Sequence, residues 1–336
     1  MEPLRIGVLG AARIAGAAIA APARLTGARL VAVAARDRDR ALAFAGEHGV
    51  ERVLGSYAEV IADPEVEAVY NPLANSLHGP WNRIAVEAGK HVLTEKPSAS
   101  DAAEAREVRD AALKAGVLLM EGFHYLYHPV TRRLLDAVAS GEIGELRGVE
   151  VHMEMPSPAD GDPRWSLELA GGTVMDVGCY GLHLHRVLGR FAGGEPTVTA
   201  ARGRERAGAP GVDESMEIEL AFPSGLPGLV RTSMTATERD FSCRVVGSRG
   251  EVVAPSFVLP HLDDRVLLTV DGQQRVEELG RRSSYAYQLE AFAAAVRAGG
   301  EVATGADDAV ASAELIDAAY RAAGFPLRPR TSRPAP

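Results

Sequence analysis

Leu4-Arg5-Ile6-Gly7-Val8-Leu9-Gly10-Ala11-Ala12-Arg13-Ile14-Ala15 is the stretch on which the fold is decided. Its first half, Leu4–Leu9, is rich in leucine and valine and does not alternate. That is the pattern of a strand buried on both faces of a parallel sheet. The strand runs directly into Gly10-Ala11-Ala12-Arg13-Ile14-Ala15, which has the spacing of G-x-G-x-x-G with alanine at the second and third glycine positions. The first glycine makes the tight turn. Small residues after it let the backbone approach a pyrophosphate at a helix N-terminus. A strand before the turn and a helical stretch, Ile14–Ala20, after it supply the context the motif needs. The other reading is a tight strand-to-helix turn without a ligand.

Outward from this turn the same texture continues. Further strands are expected at Leu30–Ala34, Arg52–Leu54, Ala68–Tyr70, His91–Thr94 and Val117–Met120, separated by helices at Asp39–His48, Tyr57–Ala62, Pro80–Ala88 and Ala102–Ala115. Gly89 and Gly116 stand where helix C-caps are wanted. Asp101 and Glu104 fit a capping box. Alternation of this kind implies α/β architecture with a doubly wound parallel sheet, a Rossmann fold. After about residue 125 strands dominate. A helix is expected at Val130–Ser140, then strands at Leu146–Met155, Met216–Phe222, Gly228–Thr235, Ser242–Val246 and Val266–Val270, and closing helices at Tyr285–Ala298 and Ala306–Ala323. Few helices intervene, so the second sheet is expected to be large, open and mostly antiparallel, within an α+β domain. A length of 336 residues fits two domains. We place them at 1–123 and 124–325, with 326–336 as a loose tail rich in proline and arginine.

Composition narrows the function. Hydrophobic residues make up 46% and charged residues 24%, as in an ordered globular protein. The net charge of −9 argues against nucleic acid or an anionic membrane surface as the main partner. Two cysteines, Cys179 and Cys243, cannot build a disulfide framework or a four-Cys zinc site. No apolar run reaches about 18 residues, and the start of the chain lacks a basic stretch followed by an apolar one, so a cytoplasmic protein is expected. Lysine is rare: of 36 basic residues it supplies Lys90, Lys96 and Lys114.

The end of the second strand bears on the choice of dinucleotide. NAD sites place Asp or Glu there, against the ribose hydroxyls. Here the run is Val33-Ala34-Ala35-Arg36-Asp37. A small residue leaves room for a 2′-phosphate and Arg36 can hold it bidentately, so NADP is preferred over NAD. The alternative has Arg36 in solvent and Asp37 on the ribose.

Three further segments carry a resemblance: Tyr70-Asn71-Pro72-Leu73-Ala74-Asn75-Ser76-Leu77-His78, Glu95-Lys96-Pro97, and Gly171-Gly172-Thr173-Val174-Met175-Asp176-Val177-Gly178-Cys179-Tyr180. With the N-terminal turn, with Phe123-His124-Tyr125-Leu126-Tyr127-His128-Pro129 and with the stretch from Tyr285 to Phe292, they resemble the glucose–fructose oxidoreductase/inositol dehydrogenase (Gfo/Idh/MocA) family over nearly the whole chain. The resemblance implies that Lys96 lies beside the nicotinamide and polarises the substrate hydroxyl. It implies that Asp176 positions substrate and that Tyr180 is the acid/base. Tyrosine at that place, and the region of Trp165, resemble the branch with dimeric dihydrodiol dehydrogenase, glucose–fructose oxidoreductase and NADP-linked xylose dehydrogenase. Cofactor contacts are then implied for Gly10, Ala12, Arg13, Ile14, Arg36, Leu73, Asn75, His78, Glu95, Lys96, Pro97, Trp165 and Tyr285, and substrate contacts for His183 and Tyr125. The chain departs from the family at Ala12, usually glycine, and at Leu126, usually arginine. A sharp turn beside the cofactor implies a cis bond at Lys96–Pro97 or Asn71–Pro72. The implied activity is hydride transfer between nicotinamide and a sugar, cyclic polyol or diol, by a homodimer or homotetramer built across the C-terminal sheet, with Lys96 and Tyr180 at the seam of the two domains. Rival readings are an NAD-retaining glycosidase of the same superfamily and a dinucleotide-binding regulator without turnover.

The chemistry supports those roles independently. Removing hydride from a carbinol carbon requires removing a proton from its oxygen. An unperturbed tyrosine, with a pKa of about 10, is a poor base at neutral pH, and a nearby ammonium favours its phenolate. A compact lysine charge suits this better than a guanidinium. Singly, each residue also has a structural reading: Lys96 as a surface lysine, Tyr180 as a core aromatic, Asp176 as a helix cap. Glu121, His124 and His128 have one-face helical spacing, but Pro129 follows directly and no metal site is expected. Cys179 reads as a small buried hydrophobe.

Overall fold

The computed structural model describes residues 2–332, which form two compact units. Of the described residues, the first takes in those up to Phe123 together with Tyr285–Ala313 and those from Pro329 to residue 332. Its sheet is parallel, in the order β2-β1-β3-β4-β5. The strands are β1 (Arg5–Leu9), β2 (Arg29–Ala34), β3 (Ala68–Asn71), β4 (His91–Thr94) and β5 (Leu119–Glu121). Their side chains, including Leu9, Val31, Val69 and Val92, are buried among helix residues such as Val60, Ala85 and Val108. This is the double burial that the non-alternating runs called for.

The helices are α1 (Ala21–Thr26), α2 (Arg38–His48), α3 (Tyr57–Ala62), α4 (Asn75–Glu87) and α5 (Ala102–Ala115). Local chemistry sets their ends. Asp37, Ser56 and Asp101 accept N–H groups at the starts of α2, α3 and α5. Gly27, Gly49 and Gly116 end α1, α2 and α5 in the left-handed conformation. Two expectations change. Arg52–Leu54 is not a strand: Val53 bridges Val33, and the run stops because Gly55 and Ser56 start α3. The helix placed at Pro80–Ala88 begins at Asn75 and carries Pro80 in its second turn.

The second unit spans His124–Ser284 and Glu314–Arg328. It holds α6 (Pro129–Ala139), β6 (Leu146–Glu154), α7 (Cys179–Gly189), β7 (Thr197–Glu205), β8 (Asp213–Ala221), β9 (Pro227–Ser233), β10 (Cys243–Gly247), β11 (Gly250–Ala254), β12 (Arg265–Val270) and β13 (Gln273–Glu278). Its sheet runs β13-β12-β11-β10-β6-β9-β8-β7, with β6–β9 parallel and every other pair antiparallel. The closing helices are α8 (Ser284–Ala298) and α9 (Ala306–Ala322).

The division therefore differs from a single cut at residue 123. Most of α8 and the first half of α9 belong to the first unit. Val310 and Ala313 pack with Ala99, Ala102 and Ala105, the Thr304 carbonyl accepts the Glu121 N–H at 2.8 Å, and Arg297 pairs with Glu67 at 2.9 Å. The tail is also anchored where it was expected to be loose. Arg328 is buried: it pairs with Asp213, donates to the Gly211 carbonyl at 2.9 Å and lies 3.9 Å over the Tyr320 ring. Arg330 pairs with Asp101 at 2.7 Å. Residues 333–336 of that stretch lie outside the described residues.

Breaking a buried pair leaves one charge uncompensated and costs about 3–5 kcal/mol. Arg328→Met is expected to lower stability by that order, read from the midpoint of urea unfolding. An unchanged midpoint would show that the Arg328–Asp213 pair carries no stability.

Candidate active site

The turn after β1 is built on a residue without a Cβ. Gly10 sits at φ +95°, and its N–H donates to the Ala34 carbonyl at 2.7 Å, tying the ends of β1 and β2. A Cβ there would meet Leu73 Cδ2 at 2.9 Å. Beyond it the Ala15 and Ala18 N–H groups bond Ala12 and Ile14 carbonyls at 3.0 and 2.8 Å and open a π-helical stretch, Gly16–Ala20, that leads into α1. Ala12 is half-buried, while Arg13 and Ile14 stand exposed. Ala11, Ala12, Arg13 and Gly16 face Arg40, Phe44 and His48 of α2 across a cleft of about 460 Å³. An open helix start, exposed apolar surface at Ile14 and arginines on the rim form a cradle that suits an anionic, partly apolar ligand.

The corner after β2 separates two acidic roles. Asp37 Oδ1 accepts the Asp39 and Arg40 N–H groups at 2.9 and 3.2 Å, so it caps α2. Arg36 is exposed beside it, and Arg40 donates to the Ala11 carbonyl at 3.0 Å. The Tyr57 hydroxyl lies against the Arg36 backbone. Burial pushes this phenol up, and the Arg36 charge opposes the shift.

Glu95-Lys96-Pro97 follows β4, and Lys96–Pro97 is a cis bond, whereas Asn71–Pro72 is not. Asn82 of α4 braces this corner. It accepts from Asn71 Nδ2 at 2.8 Å and donates to Thr94 Oγ1 and the Ser98 carbonyl, each at 3.0 Å. Ser98 N–H donates to Glu121 at 2.7 Å. Gly122 is also required here, because a Cβ would lie 2.9 Å from the Thr94 carbonyl oxygen. The His78 ring lies between the Pro97 and Leu73 carbonyls at 2.6 and 2.8 Å; burial lowers it to about 4, and the two carbonyls oppose that shift. The Tyr70 hydroxyl donates to Glu95 at 2.9 Å. Burial, and then the Glu95 charge, push the Tyr285 phenol well up. Thus Leu73, His78 and Pro97 meet, while Asn75 opens α4. Lys96 is half-buried, which sets it apart from an ordinary surface lysine.

In the second unit a π-helical stretch, Val174–Gly178, runs into α7. The Val174 N–H donates to Asp213 at 2.8 Å. A Cβ on Gly181 would lie 2.8 Å from Val230, so α7 lies close on the sheet. Asp176 accepts from Arg164 Nε at 2.6 Å. Burial disfavours the Arg164 charge, but Asp176 and Asp162 outweigh it and hold the guanidinium above its usual range. The Tyr180 hydroxyl lies 3.2 Å from His124 Nε2, and His124 Nδ1 lies 2.8 Å from Ser284 Oγ. Tyr125 and His183, both buried, bond at 2.6 Å, and the Tyr125 ring packs edge-on against Tyr180 with centroids 5.9 Å apart. Trp165 belongs to this unit, under Arg206 at 4.3 Å, and not to the unit with the glycine turn.

Sequence reading missed Tyr57, Arg40, Asn82, Arg164, Ser284 and Asp213. Arg40 alone had a usable signal, as a second arginine four residues after Arg36. Glu121, His124 and His128 do not share a helix face: Glu121 ends β5, His124 opens a 3₁₀ turn and His128 accepts the Val130 N–H at the start of α6. Among the described residues no group of three or more His, Cys, Asp or Glu is placed for a metal. Cys179 Sγ donates to the Met175 carbonyl at 3.3 Å and is buried. No described helix is long and apolar enough to cross a membrane.

A parallel sheet with a glycine turn at its first strand in one unit, and in the other a tyrosine–histidine cluster over an open sheet, define a dinucleotide-dependent oxidoreductase. The chain belongs to the GFO/IDH/MocA family. The family profile "Oxidoreductase family, NAD-binding Rossmann fold" matches residues 4–123, and that of the GFO/IDH/MocA C-terminal domain matches residues 131–253. The chain is 36% identical to D-xylose 1-dehydrogenase (NADP(+)) 2 of Haloferax volcanii, over 95% of this chain and 97% of that one. It is 34% identical to dTDP-3,4-didehydro-2,6-dideoxy-alpha-D-glucose 3-reductase of Saccharopolyspora spinosa, over 91% and 90%. Among solved structures, a 3-ketoreductase from Actinomadura kijaniata in complex with NADP and TDP-benzene superposes with a TM-score of 0.87 at 29% identity, covering 94% of this chain and 97% of that one. The aldose–aldose oxidoreductase of Caulobacter crescentus, complexed with glycerol, gives 0.88 at 26% identity, covering 96% and 98%.

Gly10→Val adds a side chain at a left-handed position facing Leu73. It is expected to weaken NADPH binding by at least about tenfold, a loss of about 1.4 kcal/mol, in a nicotinamide fluorescence titration. Unchanged affinity would remove the turn from the binding site.

Proposed function

We propose that the chain is an NADP-preferring dehydrogenase or reductase that moves a hydride between nicotinamide and a carbinol or carbonyl carbon of a sugar, cyclic polyol or diol. The corner after β2 carries the cofactor choice. Asp37 turns back into α2 as its cap, while Arg36 and Arg40 present positive charge beside the glycine turn. A 2′-phosphate pairs with such a site, and a carboxylate aimed at the ribose would repel it. The names of the relatives agree: the Haloferax dehydrogenase is NADP-linked, and the Actinomadura ketoreductase was solved with NADP.

In this reading Gly10, Ala12, Arg13, Ile14, Arg36, Leu73, Asn75, His78, Glu95 and Pro97 hold the dinucleotide, with Trp165 and Tyr285 completing the set. The bound nicotinamide supplies the hydride acceptor or donor. Tyr180 takes the substrate hydroxyl proton in oxidation and returns it in reduction. Lys96 polarises the same oxygen and favours the phenolate. Asp176, oriented by Arg164, positions the substrate, and Tyr125 and His183 support the wall behind Tyr180. A general acid/base of this kind supplies about 10²–10⁴-fold. Assembly as a homodimer or homotetramer across the eight-stranded sheet belongs to the same reading, and light scattering on a sizing column tests it.

The first experiment titrates the protein with NADPH and NADH. NADPH is expected to bind at least about tenfold more tightly, and Arg36→Ala to erase most of that preference. Turnover is then followed with NADP and D-xylose, other aldoses and inositols. Tyr180→Phe and Lys96→Ala are expected to lower kcat by about 10²–10⁴-fold, with NADPH affinity kept in Tyr180→Phe. Binding of neither nucleotide, or full turnover by Tyr180→Phe, would overturn the reading. Glycoside cleavage without net change in nicotinamide absorbance would replace it with the redox-neutral one.

A further inference from the structure

Tyr180 does not stand alone in the second unit. His124 reaches its hydroxyl with Nε2 at 3.2 Å and reaches Ser284 Oγ with Nδ1 at 2.8 Å. All three side chains are buried. The imidazole has one proton when neutral, so it donates at one nitrogen and accepts at the other. Ser284 decides which. Its hydroxyl is fully buried, and among the described residues its hydrogen-bond partner is His124 Nδ1 alone. If Nδ1 carried the proton, the Ser284 O–H would be left buried without an acceptor, at a cost that structures avoid. Ser284 therefore donates to Nδ1, and the ring proton sits on Nε2.

We propose that Ser284 and His124 form a donor chain, Ser284 O–H to His124 Nδ1 and His124 Nε2–H to the Tyr180 oxygen, that stabilises the Tyr180 phenolate. His124 and Ser284 are thus positioning residues for the acid/base, and the inference rests on the reading of Tyr180 given above. The phenol's own proton is not directed at His124 and stays with the reacting oxygen. In oxidation the substrate O–H bond breaks and the Tyr180 O–H bond forms. In reduction the reverse occurs. The Nε2 proton remains on His124 throughout, so no proton has to leave through Ser284. The other titratable groups near Tyr180 within this unit are Tyr125, whose ring packs against it and whose hydroxyl bonds His183, and Asp176, one turn earlier and engaged with Arg164.

The test is a titration of one phenol. Ultraviolet phenolate absorbance of the protein, less that of its Tyr180→Phe variant, isolates Tyr180 from the other tyrosines. The same difference is taken in the background of His124→Phe, of His124→Gln and of Ser284→Ala. A hydrogen bond donated to the charged form lowers a phenol's midpoint, so losing it raises the midpoint. His124→Phe is expected to move it up by about one unit. Ser284→Ala is expected to move it up by less, because the ring is freed to change tautomer. His124→Gln, whose amide can still donate, is expected to restore part of the shift. The sign decides the matter: a phenol that donated to His124 would titrate lower once the ring is gone. A downward shift or none, in His124→Phe or in Ser284→Ala if the former does not fold, overturns the proposal. So does a Tyr180 signal that appears only on unfolding. The titration needs no substrate, so full turnover by Tyr180→Phe would sink the acid/base reading while leaving the donor chain standing.

Discussion

Asn82 is fully buried on α4, and its amide must find protein partners on every side. It finds Asn71 at the end of β3, Thr94 at the end of β4 and the Ser98 carbonyl just past the cis corner. One side chain thus fixes the spacing between two strand ends, a helix and the turn that carries Lys96. Gly10 and Gly122 serve the same edge by removing atoms rather than adding bonds, since each allows an approach that a methyl group would block. The carboxyl edge of the parallel sheet is therefore held by polar satisfaction and close backbone contact, and a ligand that needs the backbone near its phosphates requires the same two things.

The second unit solves its own version of the problem with a charge. Asp213 is buried and receives the Val174 N–H, the Tyr320 hydroxyl and the Arg328 guanidinium. Burial pushes its carboxyl up, and the Arg328 charge works against that. Val174 opens the π-helical stretch that bears Asp176 and leads to Tyr180, so the carboxylate fixes where that stretch begins. Gly172, at φ +124°, is required beside it, because a Cβ would collide with the carboxylate. A tail residue, Arg328, in this way helps set the placement of residues some 150 positions earlier in the chain.

The parallel sheet was legible because its strands are buried on both faces and read as continuous apolar runs. Three strands of the second sheet were not. β7 and β13 are edge strands whose side chains are mostly exposed or half-exposed, so no hydrophobic pattern marks them. β11 is short, begins with glycine and pairs on both sides, so its register is set by its neighbours. Candidate site residues could be named from sequence where spacing or motif carries them, as at Gly10, Lys96 and Tyr180. Residues that act through a partner far along the chain were not. Ser284 lies 160 residues from His124, and neither has a local pattern that points to the other. The arginines of the tail read as a solvated run because nothing nearby in sequence announces Asp213.

The distribution of cations bears on why Lys96 is a lysine. Arginine makes many of the described ion pairs within each unit, as at Arg133–Glu277, Arg231–Glu217, Arg297–Glu67 and Arg330–Asp101. A planar fork suits these carboxylates. Lys90 is used differently: its ammonium gathers the Asp63 and Val66 carbonyls at 2.9 and 2.7 Å, a convergent pair that a point charge reaches from one atom. Lys114 sits in the last turn of α5, where any cation suits the helix end. A chain that turns to arginine for its pairs keeps lysine at a half-buried corner beside a cis proline. There a guanidinium would bring five donors and a wide plane where lysine brings a single ammonium. A compact charge is also what an oxygen needs if it is to hold a proton in one step and lose it in the next, because the ammonium can stand close to that oxygen without competing for its plane.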